Sequence, residues 1–549
     1  MKAFGNQYII ISFLVISNFS CSSGWKYFYD ESHSDLFAGK IYSAINKAQM
    51  AHYTAIESMG NYTKTGLYLA YLYFLIDKDM DSIYILRNML SIGEKDKLQD
   101  VHVALSRYYI SMYHFKTARY HLSRSGCGSR DTHRCTEMRI YDSMYHGSYK
   151  HLLTMIMELE RDKRYLDNLY NDDYIGYINY HILISSIMRD VGNYRKSATY
   201  LERVRDDVAK RLGERNVFYA DILRNQAIQC FLDGNYDEVI EKCKRSKWIY
   251  LHNTDIENYG IYFCDIYAEA ARAIKEHRSM DKQYIYEAIK YLKGIYERDV
   301  PEIANLLVLE ASIENTRNNY SKAIMLLNRA ERIYRNMDLD GHIAYGLIKR
   351  SMGVALINSG KVNRGIKCLA EAKDIIRKSL GVENEHYINT MFKLAWIYSY
   401  THMYKKAEET ILEIKNNNYY KMSDEKRKVE LVEVRCQLST TRGNLKNAEK
   451  LCEEALKRKM EYYSKDDSEV AKAIVRMAIV ESKMGKDERA IGLFKKALDI
   501  YKNNMREYRQ VIVEVLNMLS YVYERRGMPG KAVELEYEIR SIEKNVKLQ

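Results

Sequence analysis

One short turn motif returns along the chain at an interval of about 42 residues, and this spacing limits the fold more than any other feature. The interval between Gly234 and Asn318 is twice as long, so one copy between them is degenerate. Repeats of this length are typical of solenoids, in which stacked helical hairpins contact mainly their neighbours. The clearest copies begin at Gly192, Gly234, Asn318, Gly360, His402, Gly443, Gly485 and Gly527.

Small side chains stand at two fixed places around each turn. Helices that cross closely need such side chains where their backbones approach, and Gly or Asn ends a helix with a positive φ. The pattern therefore predicts two helices joined by a turn in each repeat. Seven residues before the turn stand Ser185, Ala227, Ala311, Gly353, Ala395, Cys436, Ala478 and Ser520. Five residues after it stand Ser197, Val239, Ala323, Gly365, Ala407, Ala448, Ala490 and Ala532.

In these residues the chain resembles the tetratricopeptide repeat family, whose first helix carries a small residue and an aromatic before a Gly-x-Tyr turn. The second helix of that family opens toward an Ala, as Tyr404 to Ala407 does here. The interval, and the Leu-Gly pairs at 212–213 and 380–381, are similar to the longer kinesin-light-chain-like variety. The resemblance implies an all-α, tetratricopeptide-like α-solenoid: a right-handed superhelix of antiparallel helical hairpins.

We expect four segments: a signal peptide at 1–20, divergent helical repeats at 21–180, the main array at 181–530 and a capping helix at 531–549. In the second segment, turns at Asp79, Tyr113 and Gly147 are about 34 residues apart, the standard tetratricopeptide length. Helices are predicted there at 67–76, 100–113, 116–123 and 149–160. The long polar turn at 276–283 could be a hinge between two sub-arrays.

Composition agrees with a helical array. The whole chain has only two prolines, which leaves little room for structureless linkers. Its fifty tyrosines are expected to fill gaps between helices with their hydroxyls at the surface.

The first twenty residues differ from the rest. An apolar run at 8–16 suits the hydrophobic region of a secretory signal and is too short to span a bilayer. Ser20 and Cys21 follow, and this layout resembles a bacterial lipoprotein signal, which implies a lipidated Cys21 at the mature N-terminus. The alternatives are ordinary cleavage near Ser20 and an uncleaved anchor.

The remaining cysteines predict no defined site. Cys127 and Cys135 flank a polar loop and are candidates for a disulfide; free thiols, or a metal shared with His133, are the alternatives. The small-residue position holds Cys436. The apolar helix faces hold Cys230, Cys243, Cys368 and Cys452, and these five are interpreted as buried free thiols.

We find no catalytic motif and expect neither enzymatic activity nor a cofactor. The sequence has no Gly-rich phosphate loop, no His-Glu-x-x-His and no Gly-x-Ser-x-Gly. The net charge of +12 is spread along the chain without a basic stripe, so nucleic acid is not the expected partner. Contact with anionic lipid or acidic proteins is a milder inference.

Stacked first helices should line a concave groove that binds an extended peptide. By helical period, the residues nine, ten and six before each turn face this groove, with two others one turn earlier. This basic set could clamp an acidic or carboxylate-ended peptide; the alternative is a solvated helix face. The candidate peptide-binding residues are Arg224, Asn225, Arg350, Asn389, Lys393, Trp396, Lys472 and Arg476.

The kinesin-light-chain-like repeats carry a recurring Asn where Asn225 stands, and this chain largely lacks the rest of that ladder. The matching positions of the other repeats hold Ser351, Lys393, Val434, Arg476 and Met518.

The function predicted from these features is a non-enzymatic scaffold or adaptor that binds another protein or peptide in the bacterial cell envelope. We expect a lipid-anchored protein that faces the periplasm or the surface. One rival is a regulatory peptide receptor of the long-repeat type that acts through a partner. The other rival is a cytoplasmic adaptor with an ordinary hydrophobic start.

Overall fold

The computed structural model describes residues 24–38, 40–57, 59–92, 98–126, 139–140, 142–144, 147, 149–253, 258–503 and 505–544. Over these residues the protein is all-helical, in sequential antiparallel pairs, as predicted. The helices of the first part are α1 Gly24–Phe37, α2 Ile41–Thr54, α3 Met59–Phe74, α4 Asp79–Ile92, α5 Leu98–Ser111, α6 Phe115–Arg124, α7 Tyr149–Arg161 and α8 Lys163–Asp172. A short 3-10 turn, Ala55–Glu57, joins α2 to α3.

The main array begins with α9 and continues to the last described residue. Its helices are α9 Tyr174–Asp190, α10 Tyr194–Arg211, α11 Val217–Leu232, α12 Tyr236–Asn253, α13 Tyr259–Lys275, α14 Lys282–Tyr296, α15 Pro301–Thr316, α16 Tyr320–Asn336, α17 Ile343–Asn358 and α18 Val362–Leu380. They are followed by α19 Glu385–Tyr400, α20 Tyr404–Asn416, α21 Asn418–Lys421, α22 Glu425–Thr441, α23 Leu445–Tyr462, α24 Ser468–Lys483, α25 Asp487–Lys502, α26 Met505–Arg525 and α27 Pro529–Lys544.

All eight predicted turn residues adopt the left-handed backbone conformation. Their φ angles run from 60° at Asn318 to 83° at Gly192. The degenerate copy is His277, with φ 51°, which ends α13 in the same way. This conformation reverses the chain and satisfies the last carbonyls of the first helix, so the repeat register is confirmed.

The N-terminal repeats follow the same rule with one correction. Tyr113 and Gly147 have positive φ, as predicted, but the first of the three turns lies at Asp77 rather than Asp79. Asp79 instead begins α4, where burial and the neighbouring charge of Asp77 raise its pKa to about 7. The four helices predicted in this region correspond to α3, α5, α6 and α7.

The small residues lie where paired helices cross. Ala395 and Ala407 are completely buried at the crossing of α19 and α20. In the first pair of the array, Ser185 Oγ donates to the carbonyl oxygen of Ser197 over 3.0 Å. Larger side chains at these positions would force the helices apart.

Two cysteines interpreted as free thiols form a disulfide instead. Cys436 of α22 and Cys452 of α23 are bonded, with Cα atoms 5.5 Å apart, which is a usual span for a bridge. The close crossing around the small-residue position brings them into range. Cys230 and Cys243 are buried free thiols as predicted, whereas Cys368 is only partly buried.

Several buried tyrosines also depart from the expectation of surface hydroxyls. Tyr250 donates to Asp221 over 2.6 Å, and Tyr177 donates to Asp207 over 2.8 Å. Both rings are almost fully buried, so the carboxylates satisfy hydroxyls that would otherwise be costly to bury.

The contacts divide the chain into two compact units, 1–345 and 346–549, with the division inside α17. In unit 1, the turns of successive N-terminal hairpins dock one by one onto the linkers before α11, α13, α15 and α17. The polar turn at 276–283, considered as a hinge, lies inside this unit. The joining hydrogen bonds are Asn216 Nδ2 to Phe37 O (2.8 Å), Tyr259 N to Asp77 Oδ2 (2.9 Å), Arg298 Nη2 to Met112 O (2.7 Å) and Tyr149 OH with His342 Nε2 (3.3 Å).

This docking buries apolar surface as well as polar groups. One continuous core includes Leu36 and Leu72 of the N-terminal hairpins together with Leu201, Phe218 and Tyr250 of the main array. The N-terminal hairpins of unit 1 are therefore packed against the following repeats through a shared core. Unit 2 contains the hairpins from α17 to α27.

Candidate functional site

The first helices of three consecutive hairpins in unit 2 line a pocket of about 380 Å³. These helices are α19, α22 and α24, and the ends of α22 and α23 supply the rim. Successive first helices lie side by side because each hairpin stacks on the one before it, so equivalent repeat positions converge on one surface.

Trp396 and Arg476 form the centre of this pocket. The guanidinium carbon of Arg476 lies 4.6 Å from the centroid of the Trp396 ring, which is a cation–π arrangement. Arg476 also forms a salt bridge with Glu433. Opposite them, the Lys426 ammonium lies 5.0 Å from the Tyr463 ring centroid. The pocket thus presents two aromatic faces, each with a cation on it.

A chain of ion pairs forms the floor. Lys459 Nζ lies 2.9 Å from Glu433 and 2.7 Å from Glu469, and Lys472 lies 2.5 Å from Glu469. Only 7% of the Lys459 side chain and 6% of the Glu433 side chain are exposed. Burial alone would raise the pKa of Glu469, but hydrogen bonds from Lys459 and Lys472 outweigh it and lower that pKa to about 2.

A second network lies on the side of α19. Arg427 forms a hydrogen bond with the side-chain oxygen of Asn389 and contacts Glu385 and Glu430 at 3.2 Å each. The Lys393 side chain reaches solvent but has protein on its other sides. That desolvation, together with the charge of Arg350 nearby, lowers the pKa of Lys393. Desolvation raises the pKa of Glu430, against the opposing charges of Arg427 and Lys393.

About half of the residues that line this pocket lie in a segment that matches a known protein family. Residues 437–503 match the tetratricopeptide repeat family. The match contains α23, α24 and α25, and therefore Lys459, Glu469, Lys472 and Arg476 of the pocket. Together with the turns and crossings of the other hairpins, it confirms the prediction of an all-helical array of tetratricopeptide-like hairpins.

Solved structures also resemble the chain. A crystal structure of the APC/C hetero-tetramer Cut9–Hcn1 matches at 14% identity and a TM-score of 0.48, covering 98% of this chain and 97% of that one. A putative kinesin light chain from Podosopora anserina, with nearly identical tetratricopeptide-like repeats, matches at 15% identity and a TM-score of 0.31, covering 38% and 99%. The apo form of the quorum sensor NprR from B. thuringiensis matches at 12% identity and a TM-score of 0.38, covering 58% and 97%. The comparison with curated proteins gives no match.

The pocket between α19, α22 and α24 is less basic than the sequence indicated. Five cationic and four acidic side chains line it, and most of the cations are paired with the acids. Glu433 and Glu469 neutralise the predicted cations Arg476 and Lys472. Lys426 and Lys393 have no acidic partner within 4 Å among the residues that the structure describes.

The predicted residues do not all belong to this pocket. Trp396, Lys472 and Arg476 line it, and Asn389 and Lys393 belong to the network beside it. Arg224 and Asn225 line a separate pocket of about 320 Å³ in unit 1, together with Phe74 and Arg107 of the N-terminal hairpins. There Arg224 pairs with Asp221 at 3.3 Å, and the Asn225 side chain donates to a backbone carbonyl of its own helix.

Several residues of the pocket were not predicted from the sequence, although the repeat register could have identified two of them. Glu433 stands ten residues before Gly443 and Glu430 thirteen before it, which are the positions that selected Arg224 and Asn389 in other repeats. Lys459 and Tyr463 come from the end of a second helix and from the residue that follows it, so a rule based on first helices cannot select them.

The predicted cysteine sites lie outside the described residues: Cys21, Cys127 and Cys135 are not among them. Across the described parts of the chain, no group of three or more His, Cys, Asp or Glu side chains could hold a metal ion. Within the same residues, no helix is both long and apolar enough to cross a membrane.

Proposed function

We propose that the pocket between α19, α22 and α24 binds an extended segment of another protein. The observation that carries this proposal is the pair of aromatic faces, Trp396 and Tyr463, set on a floor of fixed ion pairs. An aromatic ring with a cation stacked on it offers apolar contact and positive charge together, and a floor whose charges are already paired needs little reorganisation on binding.

The electrostatics favour a segment that carries a carboxylate. Every acidic side chain of the floor has a basic partner, whereas Lys426 and Lys393 are cations without an acidic one in the described structure. A carboxylate of the ligand would supply that partner, and a charge-assisted hydrogen bond is stronger than a neutral one. The role is that of a binding scaffold, without catalysis or a cofactor.

Peptides selected from a displayed random library on the full-length protein test this site. Trp396→Ala combined with Lys393→Ala is expected to raise the Kd of acidic, aromatic-containing peptides about tenfold or more, because both the stacking face and the free cation are lost. Fluorescence anisotropy gives the Kd. Trp248→Ala, which removes a half-exposed indole of α12, is the matched control and should leave the Kd unchanged. Equal binding by the double variant would remove this pocket from consideration.

We further infer that this scaffold acts at the bacterial cell envelope, tethered through a lipid on Cys21. The support is the layout of the N-terminus: an apolar run at 8–16, then Ser20 and Cys21. Two acyl chains and an acyl amide hold a protein stably on a membrane, whereas a single chain does not. The positive net charge of +12 would assist attachment to an anionic surface.

The N-terminus itself is the test of the anchor. We expect the protein to enter the detergent phase, with a mature chain that begins at a lipidated Cys21 by mass spectrometry. Cys21→Ser should move it to the aqueous phase or leave the signal uncleaved, while Cys368→Ser, the matched control, should not. An intact Met1 on protein from the cytoplasmic fraction would contradict the anchor and leave the pocket as that of an intracellular adaptor.

A further inference from the structure

A second groove of about 960 Å³ lies in unit 2 on a different face of α22. It runs between the second helices α20 and α23, with α22 as its floor. None of its lining residues belongs to the pocket centred on Trp396. The groove is therefore a separate candidate binding surface.

The groove exists because α20 is short. It has 13 residues, whereas the second helices on either side, α18 and α23, have 19 and 18. The place of its missing turn is taken by α21, which is anchored to the linker before α19. Asn417 Nδ2 donates to the Val382 carbonyl over 2.9 Å, and Asn418 Nδ2 donates to Glu383 over 2.6 Å. This anchoring fixes α21 on that linker, and the groove opens where α20 ends early, with Arg435 of α22 exposed in it.

The α20 wall and the α22 floor each line the groove with residues at helical spacing. On α20 these are Ile411, Leu412 and Lys415, and on α22 they are Leu431, Arg435 and Leu438, of which the two leucines are only 6% and 8% exposed. Leu412 is 58% exposed, so its side chain is accessible to a partner. Stripes three and four residues apart on neighbouring helices accept another helix, whose side chains fit between theirs.

The rim of the groove is strongly basic. Six cationic side chains line it against two acidic ones, Glu408 and Glu454. Both acids are already paired, with Arg442 and Arg458. Lys415, Lys421 and Arg435 have no acidic partner within 4 Å in the described part of the chain. An occupant must therefore bring acidic groups beside an apolar stripe.

We propose that this groove docks an amphipathic, acidic helix of another protein. Charge complementarity decides among occupants. A second copy of this chain carries a net charge of +12, and the apolar segment at 1–23 contains a Lys and no acidic residue, so neither matches a basic rim. A helix with leucines on one face and glutamates flanking them satisfies both the stripes and the rim.

A synthetic helical peptide with leucines three and four residues apart, and with glutamates at the flanking positions, tests the proposal on the full-length protein. We expect saturable binding that weakens with added salt, measured by fluorescence anisotropy. Leu412→Asp should raise the Kd about tenfold or more, because it places a charge in the apolar stripe. The fold should persist, since Leu412 is largely exposed. The matched control Leu251→Asp alters an exposed leucine of α12 and should leave the Kd unchanged.

A charge exchange completes the test. Arg435→Glu should weaken the glutamate peptide and strengthen a peptide in which lysines replace the glutamates; Lys496→Glu, on α25, should do neither. An absence of saturable binding, equal loss with Leu251→Asp, or equal binding by Leu412→Asp would overturn the proposal. A dimer in light scattering that Leu412→Asp dissociates would also overturn it, since a second copy would then be the occupant.

Discussion

Lys459→Met is expected to lower the free energy of unfolding of the α22–α24 region by about 3 kcal/mol, as removing one partner of a buried ion pair usually does. The Lys459 ammonium lies between Glu433 and Glu469 and is almost completely shielded from water. Without it, Glu433 keeps only Arg476 as a cationic partner, in a place where water cannot replace the lost charge. Methionine fills a similar volume, so the loss reports charge rather than packing.

The same network contains its own control. Lys472 pairs with the same Glu469 at 2.5 Å, but 47% of its side chain is exposed. Lys472→Met should therefore cost at most about 1 kcal/mol, because solvent screens an exposed pair. Hydrogen–deuterium exchange of the α22, α23 and α24 amides measures the local loss in both variants. Equal losses would show that burial does not govern this network.

A second change separates an unpaired charge from a lost contact. In the Lys459→Met background, Glu433→Gln removes the buried carboxylate charge while keeping its shape. We expect it to restore part of the lost stability, because two neutral groups avoid the desolvation penalty of a lone charge. The ion pairs between Lys459, Glu433 and Glu469 would then serve to hold Arg476, and with it Trp396, in place, at some cost in stability.

The sequence predicted the array because its turns are local events. A left-handed residue and two flanking small residues determine each hairpin without reference to distant parts of the chain, so the register at Gly443 could be read directly. The Cys436–Cys452 bridge was not predicted, since both cysteines also fit an apolar helix face. The turn at Asp77 was misplaced by two residues because the prediction assumed a 34-residue interval before Tyr113, whereas the observed interval is 36 residues.

The residues of the candidate site could be predicted only where they come from first helices of consecutive hairpins. Trp396 of α19 and Arg476 of α24 were both selected by the repeat register and line the same pocket, with α22 between their helices. Arg224 was assigned by the same rule, yet it lies among residues of N-terminal hairpins that are more than a hundred positions earlier in the chain. The packing around Arg224 depends on how the turns of the N-terminal hairpins dock onto distant linkers. The helical period of the sequence contains no information about that docking.

Gly353→Ala tests a helix crossing at which two glycines face each other and is expected to lower the stability of unit 2 by about 2 kcal/mol. A Cβ at this position would lie 2.9 Å from the carbonyl oxygen of Gly365 and 2.8 Å from Leu369 Cγ. The first of these atoms is backbone of α18 and cannot rotate away. The two helices must separate, and that cost exceeds the ~1 kcal/mol that Ala gains over Gly in a helix.

The same substitution at another helical glycine should have the opposite sign. A Cβ at Gly492 of α25 meets no atom within 4 Å, so Gly492→Ala should raise stability by about 0.5–1 kcal/mol through helix propensity alone. Urea unfolding of the two variants, with hydrogen exchange to locate the change, compares them directly. If Gly353→Ala also stabilised the protein, α17 and α18 would not cross at Gly353 and Gly365, and the register of small residues would be wrong for this hairpin.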